Sequence, residues 1–304
     1  MKPRRSVLSV PGHKEKMHIK ACNSLADVIM LDMEDSVPLD AKINARTQII
    51  SSLKKLNWDK KLVTVRINSL DTPLGYRDLL EIAEKAGDLI NSIVIPKVNH
   101  PKHVHCACLM LDGIEMNKGF MNKIGIEASI ETAQGMENIS SIAKASDRLK
   151  TLVFGIADYS ASVGASLVSL SGHGEQEETI YPGHRWHYAL SRIVMAAKSH
   201  GLMAIDAPYG HFKDKDGAKK SAIISCALGC DGKWVIHPDQ IDIINEVFTP
   251  YQEDIERAAK VIEAFETAEN NGSGAVAVEG RMIDHATYRL ATKLWEQAQY
   301  MNIV

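Results

Sequence analysis

Short apolar runs alternate with longer amphipathic stretches along most of the chain. The runs are rich in Val, Ile and Leu, which is typical of strands buried on both faces of a parallel sheet. The pattern predicts eight strands, at Ser6–Val10, Val28–Leu31, Leu62–Ile67, Ser92–Ile95, Ile124–Ile130, Thr151–Phe154, Met203–Ile205 and Trp234–Ile236. Helical periodicity is found at Lys14–Ser24, Asp40–Leu56, Tyr76–Ala86, Pro101–Asn117, Glu137–Ala145, His184–His200, Asp214–Leu228 and Pro238–Val247.

Eight strand–helix units are what a (β/α)₈ TIM barrel requires. The alternative is an open doubly wound α/β sheet, which has fewer strands and a glycine-rich phosphate loop after the first strand. The first predicted strand instead runs into Pro11-Gly12-His13-Lys14, without a G-x-G-x-x-G motif. The predicted fold class is therefore α/β, as a TIM barrel.

The pattern changes after Pro250. Gln252–Asn270 predicts a charged amphipathic helix, 270–274 a flexible break, and 284–301 a last helix. Since a barrel takes about 250 residues, about 50 are left over, too few to fold alone. We expect a barrel catalytic domain at 1–250 and a C-terminal helical lid at 251–304 that packs on the barrel or a neighbouring subunit.

Composition and charge exclude several classes of protein. With 45% hydrophobic and 24% charged residues the chain is not expected to be disordered, and it contains no apolar run long enough to span a membrane. A net charge of −3 gives no reason to expect nucleic acid or a membrane surface as partner. An odd number of cysteines, five, and the lack of a secretory apolar segment favour the cytoplasm.

Polar residues follow the predicted strands at the end where barrel enzymes place their chemistry. Most are carboxylates, which would repel one another unless a hard cation lay among them. Oxygen ligands favour Mg²⁺ or Mn²⁺ over Zn²⁺, and no G-x-S-x-G nucleophile elbow is present. The candidates are Asp32, Glu34, Asp35, Arg66, Glu131 and Asp158.

Several motifs resemble those of one known family. They are Arg5–Leu8, Val10–Gly12, Leu31–Val37, Val65–Pro73, Ile95–Val98, Ile130–Ala133, Gly155–Tyr159, Gly232–Pro238 and Gly280–Asp284. The chain resembles the citrate lyase β-subunit-like (HpcH/HpaI aldolase) family over almost its whole length. The segments 71–73 and 245–250 are most similar to its malyl-CoA lyase and β-methylmalyl-CoA lyase branch.

The resemblance implies a Mg²⁺-dependent carbon–carbon lyase that reversibly cleaves (3S)-malyl-CoA to glyoxylate and acetyl-CoA, or β-methylmalyl-CoA to glyoxylate and propionyl-CoA. Mn²⁺ is a substitute metal. It also implies a homotrimer or homohexamer whose active sites are completed by the lid of an adjacent subunit. Citramalyl-CoA lyase, with pyruvate, malyl-CoA thioesterase, and a citrate lyase β-type subunit of a complex remain as alternatives.

The resemblance also implies roles for single residues. Glu131 and Asp158 correspond to metal ligands, and Asp32, Glu34 and Asp35 to a water-linked outer shell. Arg66 corresponds to the group that binds the thioester oxygen. Asp284 corresponds to an acid/base supplied by another subunit's lid, with a pKa that desolvation should raise.

Further residues are candidates for binding the substrate. Coenzyme A carries phosphates that cations must meet, and the candidates are Arg5, Lys14 and Lys20. The backbone amides of Gly155, Ile156 and Ala157 are candidates for the carboxylate of the acid. Loop 164–183 is interpreted either as a wall of the acyl pocket or as a variable insertion, and Trp234 as barrel packing.

Overall fold

The computed structural model describes residues 3–167, 169–175 and 184–304. Eight parallel strands close into a barrel in chain order, which confirms the predicted (β/α)₈ fold. The strands are β1 Ser6–Pro11, β2 Val28–Asp32, β3 Leu62–Arg66, β4 Ser92–Ile95, β5 Gly125–Ile130, β6 Leu149–Phe154, β7 Met203–Asp206 and β8 Gly232–Val235. All eight predicted strands are present, with ends shifted by a few residues.

Helices follow the strands in the part of the barrel that the structure describes. They are α1 Glu15–Cys22, α2 Lys42–Lys55, α3 Gly75–Ala86, α4 Pro101–Lys118, α5 Ala133–Glu137, α6 Ile139–Ala143, α7 Ile156–Ser162, α8 His187–Ser199, α9 Lys215–Ala227 and α10 Ile241–Val247. Short 3-10 turns lie at Leu39–Ala41, Gly87–Leu89 and Pro238–Gln240. None of the described helices is long and apolar enough to cross a membrane.

Two helical segments differ from the prediction. The helix predicted at Glu137–Ala145 is two short helices, and the first begins earlier because Thr132 accepts a hydrogen bond from the Gly135 N–H and caps it. Helix α7 was not predicted, since its seven residues are too few to show a helical period.

Side chains alternate between the two faces of each strand, and those that face inward fill the barrel interior and lead up to the site. Val7, Val28, Met30, Val94, Val153, Ile205 and Trp234 form one buried cluster. Because side chains two residues apart on a strand share a face, Asp32 continues the row of Val28 and Met30. Asp32 and Arg66 are register partners on neighbouring strands. The strand order therefore brings the carboxylate of Asp32 and the guanidinium of Arg66 together at the carboxyl ends of β2 and β3.

The amino ends of the strands carry a different polar group. Glu127, four residues before Glu131 in β5, is 1% exposed and accepts a hydrogen bond from Arg4 at 2.6 Å. Ser92 donates to the same carboxylate oxygen. This acid is paired inside the barrel, so it fills the lower end and does not belong to the site.

Residues 247–304 form a second compact unit, together with Pro3. The unit contains α11 Gln252–Asn270, a hairpin of β9 Val276–Val278 and β10 Arg281–Ile283, and α12 His285–Tyr300. Phe265 is fully buried in its cluster of apolar side chains, and the Tyr288 ring stacks on it at 4.9 Å. The unit begins four residues before the predicted boundary at 251.

Candidate active site

The carboxyl ends of the strands surround a cavity of about 250 Å³, here called the mouth cavity. Several residues predicted from the sequence line it together: Asp35, Arg66, Glu131, Gly155, Ile156, Ala157 and Asp158. Its other lining residues are Ser9, Ser36, His173, Pro208, Trp234 and Ile236. A larger cavity of about 780 Å³ lies near the starts of β3 and β5. That end of a barrel serves stability rather than chemistry, so the mouth cavity is the candidate site.

Arg66 is held by a two-pronged ion pair. Its Nε and Nη2 atoms donate to the two carboxylate oxygens of Asp32, at 2.6 and 2.8 Å. Asp32 is fully buried, and burial alone would raise its pKa. The charge and hydrogen bonds of Arg66 outweigh that effect and lower the pKa of Asp32 to about 2. The pair stays ionised at neutral pH, and its planar geometry fixes the guanidinium.

The loop after β2 completes the binding of Asp32. The Glu34 N–H donates to Asp32 Oδ1 at 2.9 Å, and the Ser36 N–H and hydroxyl donate to Oδ2. The carboxylate of Asp32 is thus taken up by Arg66 and by its own loop. This geometry favours a role in positioning Arg66 over the predicted place in the outer shell of a metal.

Glu34 and Asp35 pair with the outer side of Arg66. Its Nη1 lies 3.0 Å from Glu34 Oε2 and 3.1 Å from Asp35 Oδ2. Glu34 Oε2 is buried and receives no hydrogen bond within the described part of the chain. Burial raises the pKa of Glu34 to about 7, against the opposing charge of Arg66. The mouth therefore holds a buried carboxylate that the protein leaves incompletely satisfied.

Glu131 is 2% exposed at the end of β5. Its Oε1 accepts a hydrogen bond of 2.6 Å from the Lys97 N–H. Burial first, and then the carboxylates of Glu34 and Asp158, raise the pKa of Glu131 to about 8, although Arg66 opposes them. A bound divalent cation would remove this penalty, since a nearby positive charge favours the charged form of a carboxyl group.

The donor set fits a hard cation with few protein ligands. No group of three or more His, Cys, Asp or Glu side chains within the described ranges could hold a metal by itself. Mg²⁺ needs fewer, because it commonly binds one or two carboxylates and completes its octahedron with water and substrate oxygens. Glu131 and Asp158 provide two carboxylates in the mouth cavity.

Gly155 leaves room for Glu131. A Cβ atom at position 155 would lie 2.2 Å from Glu131 Oε2. The Gly155 N–H donates to the Ile130 carbonyl at 3.3 Å, so it is already used within the barrel. The prediction that this amide binds the substrate carboxylate therefore needs correction. Ile156 and Ala157 begin α7, and the first N–H groups of a helix have no partner within the helix.

The predicted coenzyme A cations divide into two groups. Arg5 precedes β1, so it lies at the amino end of the barrel, where its guanidinium forms a bidentate pair with Asp27. The structure thus contradicts its assignment to the coenzyme. Lys14 lies in the turn after β1, and Lys20 lies in the last turn of α1. Both side chains are exposed, so they remain candidates.

Asp284 lies in the C-terminal unit and caps α12. Its Oδ1 accepts hydrogen bonds from the N–H groups of Thr287 and Ala286, both at 3.0 Å, and the Thr287 hydroxyl also donates to it. These bonds, led by that of the Thr287 N–H, lower the pKa of Asp284. The sequence-based expectation was a raised pKa. In the C-terminal unit the helix cap lowers the pKa of Asp284 instead.

His173 is a residue of the mouth cavity to which the sequence analysis gave no role. His173 lines it, flanked by Gly172 and Gly174, which both have left-handed backbone angles. Its Nδ1 lies 2.6 Å from the Ser171 carbonyl, which can only accept, so Nδ1 carries the proton. Of loop 164–183, residues 168 and 176–183 lie outside the described residues. The glycine pair around the histidine was the signal available in the sequence.

Trp234 also belongs to the site. It is 6% exposed within the barrel cluster, as predicted, and the Arg66 guanidinium lies 5.4 Å from its ring centroid. This distance is within cation–π range. The ring therefore supports the face of the guanidinium while Asp32 holds its edge.

Replacement of Asp32 by Asn should leave Arg66 buried without its main counter-ion. We expect the free energy of unfolding at pH 7 to fall by about 3 kcal/mol, as for other broken buried pairs. Because the pKa of Asp32 is lowered from its ordinary 3.8 to about 2, the wild-type advantage should vanish as the pH falls through this range. Denaturant unfolding measures both the loss of stability at pH 7 and its dependence on pH. Asp254→Asn, which breaks an exposed pair with Arg257, is the control and should cost under about 1 kcal/mol.

Gly155→Ala should push the Glu131 carboxylate out of place. We expect the affinity for Mg²⁺ to fall roughly 10–100-fold, the usual effect of disturbing the support of a metal ligand. Isothermal titration calorimetry measures the change. Gly113→Ala is the matched control, since a Cβ there meets no atom within 4 Å. Unchanged affinity in Gly155→Ala would contradict the assigned role of Glu131.

Comparison with known proteins agrees with this geometry. The family model described as HpcH/HpaI aldolase/citrate lyase matches residues 5–238. The chain is 38% identical to an L-malyl-CoA/beta-methylmalyl-CoA lyase of Cereibacter sphaeroides, over 99% of this chain and 96% of the relative. It is 33% identical to a malyl-CoA/beta-methylmalyl-CoA/citramalyl-CoA lyase of Chloroflexus aurantiacus, over 98% of this chain and 89% of the relative.

A solved structure is similar over the full length. It is the protein CitE from Mycobacterium tuberculosis in complex with magnesium, acetoacetate and coenzyme A. Its TM-score is 0.77 at 26% identity, with 98% of each chain covered. The chain therefore belongs to the HpcH/HpaI aldolase/citrate lyase family.

Proposed function

We propose that this protein is a Mg²⁺-dependent carbon–carbon lyase that reversibly cleaves (3S)-malyl-CoA, or β-methylmalyl-CoA, to glyoxylate and acetyl-CoA, or propionyl-CoA. The observation that carries the proposal is Arg66, fixed by Asp32 in the same small cavity as Glu131 and Asp158. Carbon–carbon cleavage of a 3-hydroxyacyl thioester involves negative charge on two oxygens, the hydroxyl oxygen that becomes the aldehyde carbonyl and the enolate oxygen of the thioester. The cavity offers a positive fork for one and a pair of cation-binding carboxylates for the other.

Glu131 and Asp158 are the residues that would hold Mg²⁺, or Mn²⁺ as a substitute. When bound, the metal would polarise the carbonyl of the 2-oxo acid and orient its carboxylate. Glu34 and Asp35 lie beside this pair, on the far side of Arg66, where they would accept hydrogen bonds from water on the metal. The N–H groups of Ile156 and Ala157 would bind the acid's carboxylate from the other side.

Arg66 would stabilise the enolate oxygen of the acyl-CoA. A guanidinium has five N–H donors, and three donate to Asp32 and Asp35. Since Nη1 also lies 3.0 Å from Glu34 Oε2, the second N–H of Nη2 is the donor that would bind a thioester oxygen in the mouth cavity. Since Asp32 and Trp234 fix the group before substrate arrives, little reorganisation is required as charge develops.

Asp284 would serve as the acid/base, delivered by the lid of an adjacent subunit in a homotrimer or homohexamer. Residues 251–304 would form that lid. The helix cap lowers the pKa of Asp284, so an effective base would require desolvation on closure to oppose the cap. Lys14 and Lys20 would meet the phosphates of coenzyme A outside the cavity.

The mouth cavity also bears on substrate size. Its volume of about 250 Å³ suits a small oxo acid and the acyl end of the thioester, not the whole coenzyme. One methyl group separates glyoxylate from pyruvate and is worth about 1–3 kcal/mol. Citramalyl-CoA cleavage is therefore the second candidate, favoured by the relative that is named for both activities.

No disulfide joins the five cysteines, and we propose the cytoplasm as the compartment.

Incubation with acetyl-CoA, glyoxylate and Mg²⁺ should yield malyl-CoA, detected by chromatography and mass spectrometry. EDTA should abolish the product, and Mn²⁺ should restore it in part. Parallel reactions with pyruvate and with propionyl-CoA measure the preference. If malyl-CoA instead released coenzyme A without forming glyoxylate, the protein would be a thioesterase. Activity only with a carrier-protein thioester would indicate a citrate lyase subunit.

Asp284→Asn should abolish turnover while leaving Mg²⁺ affinity near that of the wild type, because Asp284 is assigned to proton transfer and not to the metal. Co-expression with Glu131→Gln tests whether sites are shared. Each variant alone should be inactive, whereas mixed oligomers should regain activity at sites that combine an intact Glu131 with a neighbour's Asp284. Inactive mixed oligomers would contradict a shared site.

A further inference from the structure

Lys97 contacts carboxylates of the mouth, and the proposed reaction gives it no role. It follows β4, and its φ of 50° is left-handed, which side chains other than glycine rarely adopt. The N–H of this residue donates to Glu131 Oε1 at 2.6 Å. Glycine would supply the same N–H with less strain. A lysine at this position therefore indicates a separate contribution from its side chain.

The ammonium group reaches three carboxylates. Nζ donates to Glu34 Oε1 at 2.8 Å and lies 3.6 Å from Asp158 Oδ1 and 3.8 Å from Asp35 Oδ1. The side chain is 32% exposed, so these charges are partly shielded from solvent. Among the described residues, Arg66 and Lys97 are the side chains that form ion pairs with Asp32, Glu34, Asp35 and Asp158. Lys97 therefore touches both the outer carboxylates and a residue assigned to the metal.

We propose that the ammonium group of Lys97 is a built-in counter-charge of the metal site, which pairs with Glu34 and Asp158 and competes there with the divalent cation. The proposal rests on the proposed function, because it takes Glu131 and Asp158 as metal ligands. The physical reason is direct. A cation on Asp158 and the ammonium group are like charges within a few ångströms, and at partial burial their repulsion is appreciable.

In the variant Lys97→Met the side chain at position 97 carries no charge, and two opposite effects follow. Without metal, the carboxylates lose a counter-charge, so the variant should melt at a lower temperature than the wild type. With metal, the repulsion is absent, so Mg²⁺ should bind more tightly. A residue that merely ordered the ligands would give the opposite result for Mg²⁺, since its loss would weaken binding.

Isothermal titration calorimetry with MgCl₂ on the EDTA-stripped full-length protein measures the affinity, and thermal melts with EDTA or saturating MgCl₂ measure the stability. We expect Lys97→Met and Lys97→Gly to bind Mg²⁺ roughly threefold to tenfold more tightly. Their gain in melting temperature on adding Mg²⁺ should exceed that of the wild type. Lys97→Arg keeps the charge and should bind like the wild type.

Lys85→Met is the matched control. Lys85 forms a surface pair with Glu81 on α3, at 2.7 Å, and its loss should change neither Mg²⁺ affinity nor the gain in melting temperature. Equal or weaker Mg²⁺ binding by Lys97→Met and Lys97→Gly would overturn the inference. If the wild type itself bound no Mg²⁺, the metal assignment of the proposed function would fail. Lack of malyl-CoA formation with normal Mg²⁺ binding would refute only the reaction.

Discussion

The ion pair of Arg66 and Asp32 is the interaction on which the rest of the site depends. It joins register partners at the ends of β2 and β3, and it is buried on both sides. Removal of either partner would leave a charge inside the protein without compensation. With the pair in place, Arg66 can also face Glu34 and Asp35, so acidic groups that would otherwise repel one another are gathered around one fixed cation.

The two ends of the barrel treat their buried acids differently. At the amino end, Glu127 Oε1 forms an ion pair with Arg4 and accepts a hydrogen bond from Ser92. At the carboxyl end, burial and neighbouring carboxylates raise the pKa of Glu131 and Glu34, because the local cations do not balance the negative charge. A surplus of buried negative charge is costly unless a ligand neutralises it. A divalent cation bound at the carboxyl end would supply that neutralisation.

Much of the fold and part of the site could be predicted from the sequence. Apolar runs at regular spacing predicted eight strands, and strand ends predicted Arg66, Glu131 and Asp158 as neighbours, because parallel strands place their carboxyl ends together. The partners of those residues could not be predicted in this way. That Asp32 binds Arg66, that Gly155 makes room for Glu131, and that Arg5 pairs with Asp27 at the opposite end are matters of register and three-dimensional packing.

Backbone conformation accounts for the remaining surprises. Lys97, whose N–H donates to Glu131, has a left-handed backbone angle, and His173 lies between two glycines with left-handed angles. Such angles leave little trace in residue type when the residue is not glycine. Helix α7 was missed because a single short segment has no period to detect.

We propose that the carboxylates around Arg66 form a site for one divalent cation. Calorimetric titration of Mg²⁺ into the wild type and into Glu131→Gln tests it most directly, because the substitution removes one negative charge and preserves the shape of the side chain. The wild type should bind one Mg²⁺ per chain, and Glu131→Gln should show no binding at the same concentrations. Equal binding by both proteins would contradict the claim.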